Sequence, residues 1–381
     1  MCVTRIATHD PVVRAWVKVK PDREHGPGPR AGIPFGCKDI IETAGLPTEY
    51  GSSVYAGRLG SADAAIVRLL RERGARLMGK TQTTAFAWRT PAPTRNPIHP
   101  DHTPGGSSSG SAAAVAAGMV PFAIGTQTLG SVIRPASFCG VTGFKPSYGA
   151  LPMDGVLPCA PSLDTLGLFT HSAADMLALW EAITWPASLA SNAPALALGV
   201  VDPLPEVEPE MAATCVRALG QIRAAGATIR PVDMRDRLAL VAKAARVVLA
   251  TEASRVHGDR YREHGDRLQD MADLVREGQA LPAGQYDQAR RTIEEAKTWV
   301  AGCFIETPVL LTPAALGAAP RGLGNTGDPA MNAAWTALGT PAMTIPIPGT
   351  GLPFGLQLTA AHGQDALLLR TAVSVQSLLM S

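Results

Sequence analysis

Charged and aromatic side chains are scarce in this 381-residue chain: 17% are Asp, Glu, Lys or Arg, and 5% are Phe, Trp or Tyr. So few aromatics leave little with which to stack bases. The formal net charge is only +2, and no run of five or more basic residues appears. The field needed to hold a phosphate backbone or an acidic membrane surface is therefore missing. Nucleic acid and membrane are excluded as main partners. Long apolar runs are missing too. The longest begins at Ala112 and is broken by Gly118 and Pro121, far short of a bilayer span. The opening residues, MCVTRIATHDPVVRAW, have neither the apolar core nor the cleavage site of a secretory signal. A cytoplasmic protein is expected.

Metal-binding patterns are also absent. The six cysteines (Cys2, Cys37, Cys139, Cys159, Cys215 and Cys303) make no C-x-x-C pair and none stands at metal spacing from a histidine. Free buried thiols in a reducing compartment are the expectation. Cys37 beside Lys38 could be a nucleophile, but no histidine flanks it. The eight histidines (His9, His25, His99, His102, His171, His257, His264 and His362) form no H-x-x-x-H or H-E-x-x-H pattern. No metal and no cofactor is expected. His99 and His102, flanking Pro100 in a loop just before the Gly/Ser turn, read as surface residues, the alternative being that they line a substrate entrance.

What the chain does have is apolar mass, at 46% of residues, enough for a substantial core. Residues 21–32 read as a polar Pro/Gly connector, followed by a strand over Ile33–Cys37 that delivers Lys38 at its end. Apolar spacing predicts a helix over Ala64–Arg76, closed by Gly74, and a strand over Arg76–Lys80. A helix over Ser111–Ala117, a strand over Met119–Ile124 and a short helix starting near Pro135 follow. Further strands are predicted at 196–201, Thr228–Val232, Val309–Thr312, Ala342–Pro346 and Gly355–Ala360. Helices are predicted near Glu208–Ala224, Arg237–Arg262, Tyr286–Cys303 and Gln364–Leu379. Alternating helices and buried strands predict an α/β/α sandwich around a large mixed β-sheet, as a single domain over residues 1–381. The Pro/Gly-rich region 313–328 is expected to be a loop on the substrate side.

Chemistry concentrates between Thr103 and Ser147. Two Gly/Ser loops lie there, around Ser107 (PGGSSSGS) and Ser131 (GTQTLGSVIRP). The first is not a phosphate-binding P-loop, because no lysine follows at the required place. Nor is it a linker, since an apolar helix and strand follow at once. A serine hydroxyl needs a base to become a nucleophile. Thr128, Leu129 and Gly130 form a tight turn before Ser131, whose successive N–H groups can converge on the oxygen of an attacked carbonyl. Lys38 could be the base if burial lowers its pKa by roughly three units, about 4 kcal/mol of bias.

Taken together these segments resemble the amidase signature family. GIPFGCKDI resembles its lysine strand. PGGSSSGSAAAVAAG and GTQTLGSVIRPASFCGVTGFKPS resemble its two serine loops. GARLMGKTQTTAF, SLDTLG, GTPAMTIPIP and LPFGLQLTA resemble flanking and closing segments, with 175–305 the least diagnostic stretch. The resemblance implies the amidase signature fold and a catalytic trio: Ser131 as acyl-forming nucleophile, Ser107 as bridging serine after a cis Gly106–Ser107 bond, and Lys38 as terminal base. It implies C–N cleavage of a small amide without a cofactor, by a homodimer or a chain with a small partner subunit. The alternatives are an amidotransferase-type subunit that needs a partner protein, and a non-catalytic assembly subunit.

Departures from the family pattern carry their own expectations. Leu129 stands where Gly or Ala is usual, which would narrow the acyl pocket or tilt an oxyanion donor. Ser109 replaces a glycine, and Gln127 replaces the commoner aspartate. Arg134 comes three residues after Ser131, in SVIRP. This arrangement resembles malonamidase-type members, in which that arginine holds the substrate carboxylate; a guanidinium fork suits such a group. The alternative is an internal pairing, for instance with Asp164. Only 37 residues precede Lys38, where family members carry two helices.

Overall fold

The computed structural model describes residues 1–24, 26–28, 31–184 and 197–380. His25, part of the 21–32 connector, and the first residue of the strand expected at 196–201 lie outside the described residues. Among the described residues eleven strands form one sheet. In chain order they are β1 (Trp16–Val19), β2 (Pro34–Lys38), β3 (Arg76–Thr81), β4 (Phe122–Gln127), β5 (Thr142–Lys145) and β6 (Thr165–Thr170). They continue with β7 (Ala197–Val201), β8 (Thr228–Val232), β9 (Val309–Pro313), β10 (Ala342–Ile347) and β11 (Phe354–Ala360). Their spatial order is β1-β3-β2-β4-β6-β5-β10-β11-β9-β7-β8. β2 runs parallel to both β3 and β4, and β7 parallel to β8 and β9. The pairs from β4 through β6, β5, β10 and β11 to β9 are antiparallel. The sheet is mixed, as expected.

Both faces of the sheet are covered. Alternate residues of a strand point to opposite faces. Phe122 and Ile124 of β4 join one apolar cluster with the helices Ala65–Glu72, Ala173–Ile183 and Asp365–Met380. Ala123 between them joins another, with the helices Cys2–Val13, Ser109–Ala116 and Ile133–Cys139. The helix Ser109–Ala116 is buried along most of its length. Its Ala-rich sequence allows that close approach to the sheet.

Several boundaries move from their expected places for local reasons. β4 starts three residues later than the strand expected over Met119–Ile124. Gly118 adopts a left-handed φ of 64°, and Pro121 has no N–H for a ladder, so regular pairing begins only at Phe122. The helix expected over Ala64–Arg76 ends at Glu72. Gly74, at φ 87°, turns the chain, and Ala75 N–H donates to Leu70 O. The helices Cys2–Val13, Ala173–Ile183, Asp270–Ala280 and Ala330–Ala337 were not predicted. The helix Ala330–Ala337 is only eight residues long and is held by burial of most of its side chains rather than by strong local signals.

Among the described residues no helix is long and apolar enough to cross a membrane.

Candidate active site

Lys38 ends β2, and Gln127 ends the parallel neighbour β4. Side chains and loops at the carboxyl ends of adjacent parallel strands share one crevice, the usual place for a site in such sheets. The Ser131 loop leaves β4 at this point, and the Ser107 loop lies alongside it. A cavity of about 340 Å³ opens here. Ser107, Thr128, Leu129, Gly130, Ser131 and Arg134 all line it. Lys38 lies beneath Ser107, fully buried.

Lys38 Nζ is 2.7 Å from Ser107 Oγ and 2.8 Å from Thr126 Oγ1. Among the described residues it pairs with no carboxylate; its neighbour Asp39 instead accepts from the N–H groups of Glu49 and Gly51. Burial drives the Lys38 pKa down from its ordinary 10.5 to about 7, against the opposing pull of Asp164 and Cys159. Near neutral pH this amine is therefore uncharged in a substantial share of molecules. Cys37 is buried, and burial pushes its thiol pKa up, so it is a poor nucleophile.

The Gly/Ser loop is pinned serine by serine. Ser108 Oγ donates to Thr126 O and accepts from Thr126 N–H. Ser109 Oγ donates to Gly105 O at 2.7 Å, so the residue that departs from the family pattern tightens the loop. Ser111 Oγ donates to Ile124 O. Ser107 alone of the four is turned to Lys38. The Gly106–Ser107 peptide bond is cis. A Cβ on Gly106 would stand 2.7 Å from Thr326 Cγ2 and 3.0 Å from Thr84 Cγ2, so a larger residue would have to displace them.

The Ser131 loop is held from behind. Gln127 Oε1 accepts from the N–H groups of Val132 and Ile133, satisfying the start of the helix Ile133–Cys139. Gln127 Nε2 donates to Thr336 Oγ1, which donates to Leu129 O at 2.7 Å. Gly130 O accepts from Arg134 N–H. In a trans peptide the N–H points opposite to the preceding carbonyl. With Leu129 O and Gly130 O turned inward, the N–H groups of Gly130 and Ser131 face the other way. Those of Leu129, Gly130 and Ser131 donate to no acceptor among the described residues. The turn thus presents free donors beside Ser131, as an oxyanion site requires. Thr336→Val would strand two buried partners. It is expected to cost about 1–3 kcal/mol and to slow acylation; unchanged thermal unfolding and unchanged acylation would refute this bracing role.

One expected link is not made. Ser131 Oγ forms no hydrogen bond among the described residues, so Ser107 reaches Lys38 but not yet Ser131. Such contacts commonly tighten only with substrate bound.

Arg134 is buried and does not pair with Asp164. Its Nη2 donates to Gly106 O at 2.7 Å and to Thr326 Oγ1 at 3.4 Å. Its Nε and Nη1 are buried without partners. Burial lowers its pKa to about 10, which leaves it charged at neutral pH. Asp164 instead accepts from Thr128 Oγ1 and from the N–H groups of Cys159 and Ala160; burial raises its pKa to about 6. Leu129 lines the cavity. So do Thr326 and Gly327, which fits a substrate-side loop over 313–328.

Sequence reasoning missed other cavity residues. Trp88 and Arg89 follow Phe86 and Ala87, both at positive φ (54° and 58°), conformations that non-glycine residues seldom adopt. Lys243 and Arg246 reach the cavity from the helix Arg235–His264. No local motif marks them. Among the described residues no histidine lines the cavity: His99 and His102 meet edge to face elsewhere, and His257 is fully buried, its pKa lowered to about 3 by burial. Among the described residues no group of three or more His, Cys, Asp or Glu is placed to hold a metal ion.

Comparison with known proteins adds to this geometry. The family model described as Amidase matches residues 13–369. A curated relative from Lysinibacillus sphaericus, a subunit of its glutamyl-tRNA(Gln) amidotransferase, is 32% identical, covering 91% of this chain and 82% of its own. A solved structure described as an amidase superposes with a TM-score of 0.90 at 27% identity, over 99% of this chain and 94% of that one. The peptide amidase of Stenotrophomonas maltophilia superposes with a TM-score of 0.83 at 27% identity, over 100% of this chain and 92% of that one. These relatives do not single out the malonamidase type to which the SVIRP segment was likened.

Proposed function

The chain belongs to the amidase family and is an enzyme acting on C–N bonds, and from that premise we propose that it hydrolyses a small carboxylate-bearing amide through an acyl-enzyme on Ser131. Ser131 Oγ attacks the amide carbonyl while its proton passes to Ser107, and the Ser107 proton to neutral Lys38. The N–H groups of the 128–131 turn receive the developing oxyanion. The C–N bond breaks as the relay returns a proton to the leaving nitrogen. Water then attacks the ester by the same route, giving the acid and free Ser131. Arg134 holds the substrate carboxylate with its Nε and Nη1.

The single observation that carries this reading is a fully buried lysine, with its pKa brought to about 7, 2.7 Å from the Ser107 hydroxyl. The test is a fluorophosphonate probe with the label located by mass spectrometry. Label on Ser131, lost in Ser131→Ala and strongly reduced in Lys38→Ala, supports the relay. Label elsewhere, or indifferent to Lys38, overturns it.

A second reading has specific support in the curated relative, which is named as one component of an amidotransferase. In it the same acyl-enzyme forms from glutamine or asparagine, both carboxylate-bearing primary amides, and the ammonia goes to a partner protein. The isolated chain then turns over its amide feebly. Full hydrolytic turnover of malonamate by the isolated chain would favour the first reading.

A further inference from the structure

Arg134 is not the only cation at this cavity. Arg89, Lys243 and Arg246 line its wall, against a single lining acid among the described residues, Asp328. The guanidiniums of Arg89 and Arg246 both lie over the Trp88 ring, 5.2 and 5.0 Å from its centroid. One indole thus gathers two like charges. Arg246 pairs with Glu277 through Nη2, but its Nη1 is buried without a partner. Neither Arg89 nor Lys243 takes part in an ion pair among the described residues. Like charges gathered at one mouth repel one another, and an anion between them relieves that repulsion. The donors left over, a buried Nη1 and two free cations, are those a carboxylate would satisfy.

We propose that this wall is a second anion subsite and that the substrate carries a second carboxylate, on the nitrogen side of the scissile amide, held by Arg89, Lys243 and Arg246 over Trp88. This rests on the reading above, in which Arg134 holds the acyl-side carboxylate. Water then splits the amide into a dicarboxylic acid and an amino acid: the C–N bond breaks, the acyl carbon gains hydroxyl, and the nitrogen gains the proton. A cavity of about 340 Å³ suits so small a diacid.

The test compares N-succinylglycine with N-methylsuccinamate, which lacks only the second carboxylate. The malonyl pair is run in parallel. Binding is measured by calorimetry to the Ser131→Ala chain, where turnover is blocked. The dianion is expected to bind about tenfold more tightly than the monoanion. That ratio should fall toward one when Arg89→Gln and Lys243→Gln are added. Both side chains are exposed, so folding should survive, which circular dichroism checks. Equal affinities in the Ser131→Ala parent, no binding of either compound, or a ratio untouched by the two substitutions would overturn the subsite. Failure of the deeper reading has a different signature, since fluorophosphonate would then leave Ser131 of the wild-type chain unlabelled.

Discussion

Lys38→Met is expected to lower the acylation rate by about 10²–10⁴, the usual contribution of a positioned general base, while leaving a folded protein. The substitution removes a buried amine and supplies an apolar side chain of similar length. Replacing a buried charge with a well-packed apolar group is often neutral or stabilising. Loss of activity would therefore not be a folding artefact. The contacts given up, to Ser107 Oγ and Thr126 Oγ1, leave two hydroxyls that can reorient. If Lys38→Met retains wild-type rates, the lysine is structural and the relay is wrong.

The pH dependence has a definite sign. The base works only when uncharged, so acylation should rise as pH passes upward through about 7, the Lys38 value. Asp164, at about 6, titrates close by and could produce a similar limb. The variant separates them: in Lys38→Met a limb due to Lys38 vanishes, whereas one due to Asp164 persists. Stability runs with the same group. Between pH 7 and 10.5 the unfolded chain binds a proton at Lys38 that the folded chain does not, so this residue makes stability rise with pH in that window. Below pH 7 the folded state carries the full cost of a buried ammonium. The stability of Lys38→Met relative to wild type should thus be greatest near pH 6 and shrink toward pH 10, as thermal unfolding at both pH values would measure. Lys145 is also buried with its pKa lowered to about 7, but it is present in both proteins and cancels.

How much of this was legible beforehand depends on how far apart the interacting residues lie in sequence. Lys38, Ser107 and Ser131 stood out because each sits in a compact local pattern of glycine, serine and an apolar strand end. The alternating strands identified the mixed sheet for the same reason. Gln127 was visible only as a departure from the family pattern. Its task, bridging the first turn of the next helix to Thr336, joins positions 209 residues apart, and no local signal reports that. Asp164 was read as a possible partner of Arg134; the fold gives it Thr128 and two backbone N–H groups instead. The helix over 235–264 was predicted nearly to its ends. That its Lys243 and Arg246 face the cavity follows from how the helix lies against the Trp88 segment, which is decided by packing across the fold.

Arg134→Met is expected to reduce kcat/KM for a carboxylated amide such as malonamate about a hundredfold more than for a neutral amide of the same size. The ratio matters because Arg134 has two attachments. One is its hydrogen bond to Gly106 O, next to the bridging serine, and its loss would slow every substrate. A hydrogen bond of that kind is worth roughly 1.5–3 kcal/mol because its donor is charged, and it cancels when the two substrates are compared on one variant. The other is the pair of buried donors, Nε and Nη1, that no group among the described residues satisfies. Two charge-assisted bonds from them to a carboxylate would add about 3 kcal/mol or more to binding of the acidic amide alone, which is where the factor of about 10² comes from. Arg134→Lys should recover only part of it, since a point charge cannot reproduce the planar fork. A fall of equal size for acidic and neutral amides would mean that Arg134 serves only to hold the Gly106 carbonyl, and the carboxylate would have to be sought elsewhere in the cavity. The prediction holds for malonamate and for glutamine alike, so it tests the substrate chemistry that hydrolysis and ammonia transfer share.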